Sequence, residues 1–233
     1  MVTIMNPACY YKFKRSSMAK FLPQNYKKVL EVGCGEGTFI DNLNIPCEYW
    51  GIEPVHEIAK IASGKLHKVL IGLYEDVYEQ LPNNYFDLVI CNDVIEHMKE
   101  HDSFFETIKE KIKEDSFIVG SIPNVRYVKN LYELLIKKDW AYNDAGILDR
   151  THLRFFTEKS LKRTILDHGF LIESFHGINS AIIKSKAIKI LIRNTIILII
   201  CFGSFGYYKD IQFLQYGFRA RYKASDADTL NVS

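Results

Sequence analysis

The stretch that decides the fold is VLEVGCGEG, from Val29 to Gly37. It begins with apolar and β-branched residues typical of a strand and then spaces three glycines, Gly33, Gly35 and Gly37, as GxGxG. Glycines there let the backbone turn sharply and come close to a ligand. The dinucleotide fingerprint would need glycine at Thr38, which disfavours NAD or FAD. The stretch therefore predicts a strand, a ligand-binding turn and a following helix.

Outward from this turn, short apolar runs alternate with helical patterns such as 55–62 and 103–112. Thr157 has the position of an N-cap and Gly169 that of a C′ residue around a later helix. The predicted strands end near Gly33, Glu53, Gly72, Asp93 and Asn124, and a last pair lies at 170–177 and 213–224. Strands that are apolar on both faces and alternate with helices predict an α/β doubly wound fold with a parallel sheet.

Composition narrows the class of protein. A chain of 233 residues with 48% hydrophobic content predicts one domain. Its net charge of +2 gives no argument for nucleic acid as a partner. The five cysteines are scattered without a CxxC pair, which fits a reducing cytoplasm, and the N-terminus does not read as a secretory signal. We therefore expect a cytoplasmic protein.

A carboxylate completes the motif. Glu53 ends the second predicted strand, twenty residues beyond Gly33, where it can accept both hydroxyls of a ribose. The alternative is a plain tight turn with a surface glutamate. In these residues the chain resembles the class I S-adenosylmethionine-dependent methyltransferases. VLEVGCGEG looks like their first motif, GIEP like their second, YFDLVICNDVIEHM like their fourth and SIPNV like the strand-end motif that follows.

A narrower resemblance covers CNDVIEHM, SIPNV and LDRTHLRFFT in that order. These resemble methyltransferases of bacterial surface-polysaccharide and O-antigen biosynthesis, with ubiquinone-pathway O-methyltransferases as more distant relatives. The resemblance implies a Rossmann-like, doubly wound, mostly parallel seven-stranded sheet with an antiparallel last strand and a C-terminal helical insertion. Within a single methyltransferase domain, 1–233, it implies a helical cap at 1–26, a core at 27–178, a lid insertion at 179–209 and the last strand at 210–224.

The resemblance also implies an S-adenosylmethionine site. Its glycines would wrap the methionine moiety, Glu31 would lie beside the ammonium, Glu53 would hold the ribose and Pro54 would lie against the adenine. YYKFKR implies that Tyr11 and Arg15 approach the cofactor carboxylate, and a solvated basic face is the alternative. Leu73 stands where the family usually has an adenine-binding aspartate. The implied cofactor-binding set is Glu31, Gly33, Gly35, Gly37, Glu53, Pro54, Leu73, Asn92, Asp93, Tyr11 and Arg15.

Transfer to a hydroxyl also needs a base for its proton, and a histidine is suited to that role near neutral pH. His97 and His152 are the two candidates, with Asp93 beside them, and an ordinary loop histidine is the alternative for each. The resemblance implies an acceptor site at Asn124, Arg150, His152 and Arg154. A metal is a further alternative, with Asp93, Glu96 and His97 as a magnesium-type set like that proposed for the ubiquinone relatives.

The segment 182–208 combines basic and apolar residues, and its uncharged run falls short of a spanning helix. It predicts either a lid that packs on the catalytic domain or a peripheral contact with the inner face of the cell membrane.

For the activity, our first hypothesis is O-methylation of a sugar hydroxyl in surface-glycan biosynthesis. The alternatives are another small acceptor, such as a quinone precursor or an amino-sugar nitrogen, and a non-catalytic cofactor-binding scaffold.

Overall fold

The computed structural model describes residues 15–182 and 188–223. A seven-stranded sheet runs through it in the order β3-β2-β1-β4-β5-β7-β6. The strands are β1 Lys28–Val32, β2 Glu48–Glu53, β3 Lys68–Ile71, β4 Phe86–Asn92, β5 Ile112–Pro123, β6 Phe170–Ser180 and β7 Phe213–Tyr222. β7 pairs antiparallel with both β5 and β6, and the pairings among β1 to β5 are parallel. The predicted fold class is confirmed.

Helices cover the sheet and connect its strands. The α-helices are α1 His56–Ser63, α2 Tyr74–Val77, α3 His101–Lys111, α4 Val128–Leu135, α5 Glu158–Asp167 and α6 Ile188–Gly203. The 3-10 helices are Ser16–Phe21, Thr38–Asn42, Tyr78–Gln80, Ile95–His97 and Lys209–Gln212. Thr157 forms the predicted N-cap of α5 as part of a capping box, and Gly169 follows the helix with φ +79°. Both end signals of that helix are therefore confirmed.

The core has one layer on each face of the sheet. Leu30 and Val32 of β1 belong to the larger cluster, which includes Phe105 of α3 and Ile165 of α5. Val29 points to the other face and packs with the second cluster. Successive strand residues alternate between faces, so a strand that is apolar at every position must be covered on both sides. This buried sheet positions the loops at its carboxyl edge.

A helix follows the glycine turn directly, as predicted, but it is a short 3-10 helix and not an α-helix. Thr38–Asn42 forms a 3-10 helix of five residues, and the chain leaves it at Leu43 in an extended conformation. Pro46 lies just before β2 and cannot continue a helix. The turn is therefore not followed by the N-terminus of a long α-helix, a feature that would favour binding of an anion. The ligand site must depend on side chains and on the turn itself.

The predicted insertion contains α6, whose inner side packs against the start of α4. Ile197 and Cys201 are buried there with Ala181 and Ile211, against Tyr127 and neighbouring residues. Along the described ranges, no helix is both long and apolar enough to cross a membrane. Residues 1–14 of the predicted cap, which include Tyr11, lie outside the described ranges. Residues 183–187 of the insertion also lie outside them.

Candidate functional site

A cleft of about 790 Å³ lies at the carboxyl ends of the parallel strands. Open α/β sheets bind ligands at this edge, where strand order reverses beside β1. Ten of the implied cofactor residues fall within the described ranges, and nine of these line the cleft: Arg15, Glu31, Gly33, Gly35, Glu53, Pro54, Leu73, Asn92 and Asp93. Gly37 lies one turn further on and faces Leu66. The tertiary fold thus brings together residues far apart in sequence.

The glycine turn fits tightly against Val94, two residues after the end of β4. Gly33 has φ +70°, and a Cβ added to it would lie 2.6 Å from Cγ2 of Val94. Gly35 has φ +53° and donates its N–H to Glu53 Oε2 at 3.0 Å. Positive φ favours glycine because other residues meet their own backbone there. At Gly33 both the backbone conformation and the neighbouring side chain exclude a larger residue.

Glu53 closes the turn from the end of β2. Its two carboxylate oxygens accept N–H groups from Gly35 and Val55, each at 3.0 Å, and its side chain is buried. Burial raises the pKa of this carboxyl, while the two backbone donors lower it. Each oxygen keeps a further lone pair that can accept a ligand hydroxyl. Pro54 and the half-exposed Leu73 form apolar walls beside it.

Glu31 is the second buried carboxyl of the cleft. It accepts a hydrogen bond from the Tyr49 hydroxyl at 2.9 Å, and the Arg15 charge acts on it at longer range. Burial nevertheless raises its pKa to about 8, because a charged carboxylate loses its hydration there. A cationic ligand group at this position would favour the ionised form. The site is thus suited to an ammonium.

Asn92 and Asp93 end β4 at the floor of the cleft. Neither polar atom of the buried Asn92 side chain has a hydrogen-bond partner among the described residues. Such a group costs free energy unless a ligand or water satisfies it. Asp93 has φ +54°, pairs with Arg15 and accepts hydrogen bonds from Ser121 at 2.9 Å and Gln215 at 2.7 Å. Asn92 is therefore ready for a ligand, and Asp93 is held in place.

A second cleft, of about 650 Å³, adjoins the first. The two share Arg15, Asp93, Ala145 and Asp149 in their linings. The second cleft mixes polar groups with the apolar side chains of Met18, Ile147, Ile178 and Leu214. We call the larger one the donor cleft and this one the acceptor cleft. A group bound in each would meet its partner beside Asp93.

His97 lines the donor cleft just beyond β4 with a defined tautomer. Its Nδ1 lies 3.2 Å from the Thr151 carbonyl and 3.1 Å from the Thr151 hydroxyl. That hydroxyl donates to Asp149 Oδ1 at 2.6 Å, so it can only accept from His97. Nδ1 must therefore carry the proton, which leaves the lone pair on Nε2. Burial and then the His152 ring lower the pKa of His97, so it is neutral near pH 7.

His152 lies against His97, with ring centroids 4.6 Å apart, and lines the acceptor cleft. Its Nδ1 lies 2.9 Å from the Ile147 carbonyl and must donate to it. Its Nε2 faces Glu96 Oε1 at 4.0 Å. Glu96 is 1% exposed, and neither of its oxygens has a hydrogen-bond partner in the described ranges. Burial and then the Asp93 charge raise the pKa of Glu96 well above its usual value.

These groups do not fit a magnesium ion. Within the described ranges, Glu96, His97 and His152 are the residues whose ligand atoms cluster, within 4.8 Å. Asp93, expected in that set, is instead engaged by Arg15, Ser121 and Gln215. Magnesium prefers a shell of oxygens, and two imidazoles with one buried carboxyl do not supply it. No step of the chemistry is therefore assigned to a metal.

The residues expected to bind an acceptor are only partly brought together. His152 lines the acceptor cleft, whereas Arg150 pairs with Asp144 at the surface and Arg154 donates to the Lys99 carbonyl. Neither arginine is among the residues that line the two clefts. Asn124 is fully buried, donates to the carbonyls of Asp210 and Phe213 and accepts from Arg126 N–H. The role that the structure shows for it is to join β5 to β7.

Two residues of the site, Asp149 and Thr151, are not among the predicted site residues. Both line the donor cleft, and together they hold His97. They belong to the same stretch, LDRTHLRFFT, and lie on either side of Arg150. The loop is attached by Leu153 and Arg154, whose N–H groups donate to the Glu96 carbonyl. Only that attachment shows which side chains face the cleft.

The donor cleft fits S-adenosylmethionine. Its buried Asn92 side chain lacks a partner, its glycine turn leaves no room for a side chain, and the two carboxyls of Glu31 and Glu53 lie along one wall. A volume of about 790 Å³ suits a ligand of that size. Carboxylates and apolar walls are the groups that a ribose, an ammonium and an adenine require.

Comparisons with known proteins show which family and fold the chain is similar to. A family model described as a methyltransferase domain matches residues 10–174. The chain is 24% identical over 160 residues to a ubiquinone biosynthesis O-methyltransferase of Shewanella sp. (strain ANA-3), covering 65% of this chain and 66% of that protein. It is 22% identical to the mitochondrial ubiquinone biosynthesis O-methyltransferase of Schizosaccharomyces pombe, covering 58% of that protein. The chain thus spans less than two thirds of the length of these relatives.

The fold has similar solved structures. A SAM-dependent methyltransferase from Archaeoglobus fulgidus superposes with a TM-score of 0.61 at 20% identity and covers 92% of this chain and 93% of that one. At this identity the likeness concerns the fold alone. The family model covers well over half of the chain and includes the glycine turn, Glu53 and the end of β4. The chain therefore belongs to the methyltransferase domain family.

Proposed function

We propose that the protein is an S-adenosylmethionine-dependent O-methyltransferase in which His97 takes the proton of the acceptor hydroxyl. The observation that carries this proposal is the fixed tautomer of His97 in the lining of the donor cleft. Thr151 and Asp149 place the proton on Nδ1 and leave Nε2 as the base. A degenerate binding protein would have no use for this arrangement.

The chain's own residues divide into a donor side and an acceptor side. On the donor side Glu31, Gly33, Gly35, Glu53, Pro54, Leu73 and Asn92 would hold the cofactor, which supplies a methyl group on a sulfonium. Arg15 lies beside them, paired with Asp93. Transfer from a sulfonium is an in-line displacement, so alignment and exclusion of water are the main tasks of the protein.

On the acceptor side, His97 Nε2 removes the hydroxyl proton as the oxygen attacks. Its lowered pKa keeps the ring neutral and able to accept that proton near pH 7. His152 packs against the His97 ring and limits its rotation. Asp93, fixed by three partners, orients the acceptor at the point where the clefts meet. The proton therefore passes from acceptor oxygen to Nε2, while Nδ1 stays bonded to Thr151.

For the acceptor we propose a sugar hydroxyl of a surface-glycan precursor. The acceptor cleft offers Ser16, Ser121, Asn179 and Gln215 beside apolar side chains, which suits the polar rim and apolar faces of a sugar ring. The second candidate is a phenolic hydroxyl of a quinone precursor. The names of the Shewanella and Schizosaccharomyces relatives favour it.

One labelling experiment separates these acceptors. The purified protein is incubated with methyl-labelled cofactor and, in parallel, with glycan precursors or simple catechols. We expect label in the carbohydrate fraction. Label in the catechol alone would replace the sugar assignment by the phenolic one, and cofactor binding without label in either fraction would favour the non-catalytic scaffold.

Thr151 is expected to act as a positioning residue. Thr151→Val keeps the shape of the side chain but removes the hydroxyl that links His97 to Asp149. We expect kcat to fall about tenfold, the effect of losing one charge-linked hydrogen bond, with the KM for the cofactor unchanged. Thr151→Ser restores the hydroxyl and should recover most of kcat. Equal kcat values for the two variants would contradict this role.

Because the pKa of Glu31 is raised, we expect the affinity for the cofactor to depend on pH. Its raised pKa of about 8 means that the free protein holds this carboxyl protonated at pH 6, whereas an ammonium binds best to the carboxylate. Affinity should therefore rise from pH 6 to pH 7.5, by at most about tenfold per pH unit. Calorimetry at both pH values measures it. Glu31→Gln, the control, should bind more weakly and without this slope, and a flat wild-type profile would refute the role.

A further inference from the structure

The side of α6 that faces away from α4 has no partner in the described ranges. With the turn that follows, it exposes a continuous set of large apolar side chains, which we call the α6 surface: Leu191, Ile192, Ile196, Ile199, Phe202, Phe205 and Tyr207. Phe202 and Tyr207 are each 78% exposed, and Phe205 is 101% exposed. Single exposed apolar residues are normal, but a set of this size marks an interaction site.

The α6 surface lies outside the part of the chain that the family model matches. The family model ends at residue 174, before the insertion begins. The described part of the insertion leaves the sheet after Ser180 of β6 and rejoins it at Phe213 of β7. The neighbouring residues Asn179 and Leu214 line the acceptor cleft. The insertion that carries the α6 surface therefore begins and ends beside the acceptor cleft.

The charge of the segment around α6 indicates what kind of partner the α6 surface binds. From Ser174 to Lys209 the sequence has no aspartate or glutamate, and it carries the basic residues Lys184, Lys186, Lys189, Arg193 and Lys209. Two copies of such a segment facing each other across a twofold axis would bring like charges together. An apolar face within a purely basic segment instead complements a layer that is apolar inside and anionic at its surface.

We propose that the α6 surface docks on the anionic surface of a lipid bilayer. α6 has 16 residues, fewer than a spanning helix requires, so it lies in the interface with its apolar side chains among the acyl chains. Tyr207 and Tyr208 at the following turn are the residue type found at headgroup depth. The docking does not depend on methyl transfer, so either proposal can fail without the other.

The test is flotation of the full-length protein with vesicles. One set consists of phosphatidylcholine alone and the other of phosphatidylcholine mixed with phosphatidylglycerol. We expect binding to the mixed vesicles that weakens as salt is added. The double variant Phe202→Ser and Phe205→Ser should lose at least about tenfold in partitioning, because each substitution removes an exposed phenyl ring that the bilayer would bury.

A control variant replaces two other large apolar residues that are exposed, though less fully, elsewhere on the molecule. Leu166 of α5 and Leu171 of β6 are 52% and 45% exposed, and Leu166→Ser with Leu171→Ser should bind vesicles as the wild type does. Equal loss in the two double variants, or equal binding to both vesicle types, would overturn the proposal. Sedimentation that shows a dimer in the wild type and a monomer in the phenylalanine variant, without vesicle binding, would assign the surface to a second copy instead.

Discussion

Replacing His97 with alanine is expected to lower kcat by about 10²–10⁴-fold, the usual contribution of a positioned general base. The cofactor dissociation constant should change little. The residues that would hold the cofactor lie mainly at the ends of β1, β2 and β4, and their positions do not depend on the His97 ring. Stopped assays with labelled cofactor give kcat, and calorimetry gives the dissociation constant. A lower kcat with an unchanged dissociation constant indicates loss of a base, whereas a change in both indicates damage to the cofactor site.

Two controls sharpen this result. His56→Ala removes an exposed histidine at the start of α1 and should leave both constants unchanged. His152→Ala removes the ring packed on His97 and should lower kcat by less than the His97 substitution, since the base itself remains. If His97→Ala keeps full turnover while His152→Ala abolishes it, the roles of the two histidines must be exchanged.

The second large effect is expected at the glycine turn. Gly33→Ala should raise the cofactor dissociation constant at least about tenfold, because a left-handed backbone costs an L-residue roughly 1–2 kcal/mol and the new Cβ also meets Val94. A Cβ there would lie 2.6 Å from Val94 Cγ2. Displacing Val94 would also disturb Asn92 and Asp93 on the same strand end. Fluorescence or calorimetric titration with the cofactor measures the loss.

A matched glycine supplies the comparison. Gly64 follows α1 with φ −78°, and the nearest heavy atom to an added Cβ is the Ile61 carbonyl oxygen at 3.4 Å. Gly64→Ala should therefore bind the cofactor normally. Adding Val94→Ala to Gly33→Ala should recover part of the affinity, because it removes the clash but not the backbone strain. Unchanged affinity in Gly33→Ala would mean that the turn does not hold the cofactor.

The strands and their order of appearance could be read from local patterns. A short run that is buried on both faces, such as Val29 to Val32, must lie inside a sheet, and glycines follow it where the backbone turns left-handed. Thr157 and Gly169 mark the ends of α5 by their own hydrogen bonds and φ angle. A long α-helix after Gly37 could not be excluded in the same way, because the length of the helix there depends on how soon β2 begins.

The residues of the site also fall into those that local patterns predict and those that only tertiary contacts place. The sequence by itself determined the glycine turn, Glu53 and the end of β4, because these follow strands whose carboxyl ends must meet at one edge. Only the tertiary structure decided that Thr151 and Asp149, and not Arg150 or Arg154, face His97. The reason is physical: residues within a strand are placed by a local period, whereas a loop side chain is placed by the distant backbone groups, here the Glu96 carbonyl, that hold the loop.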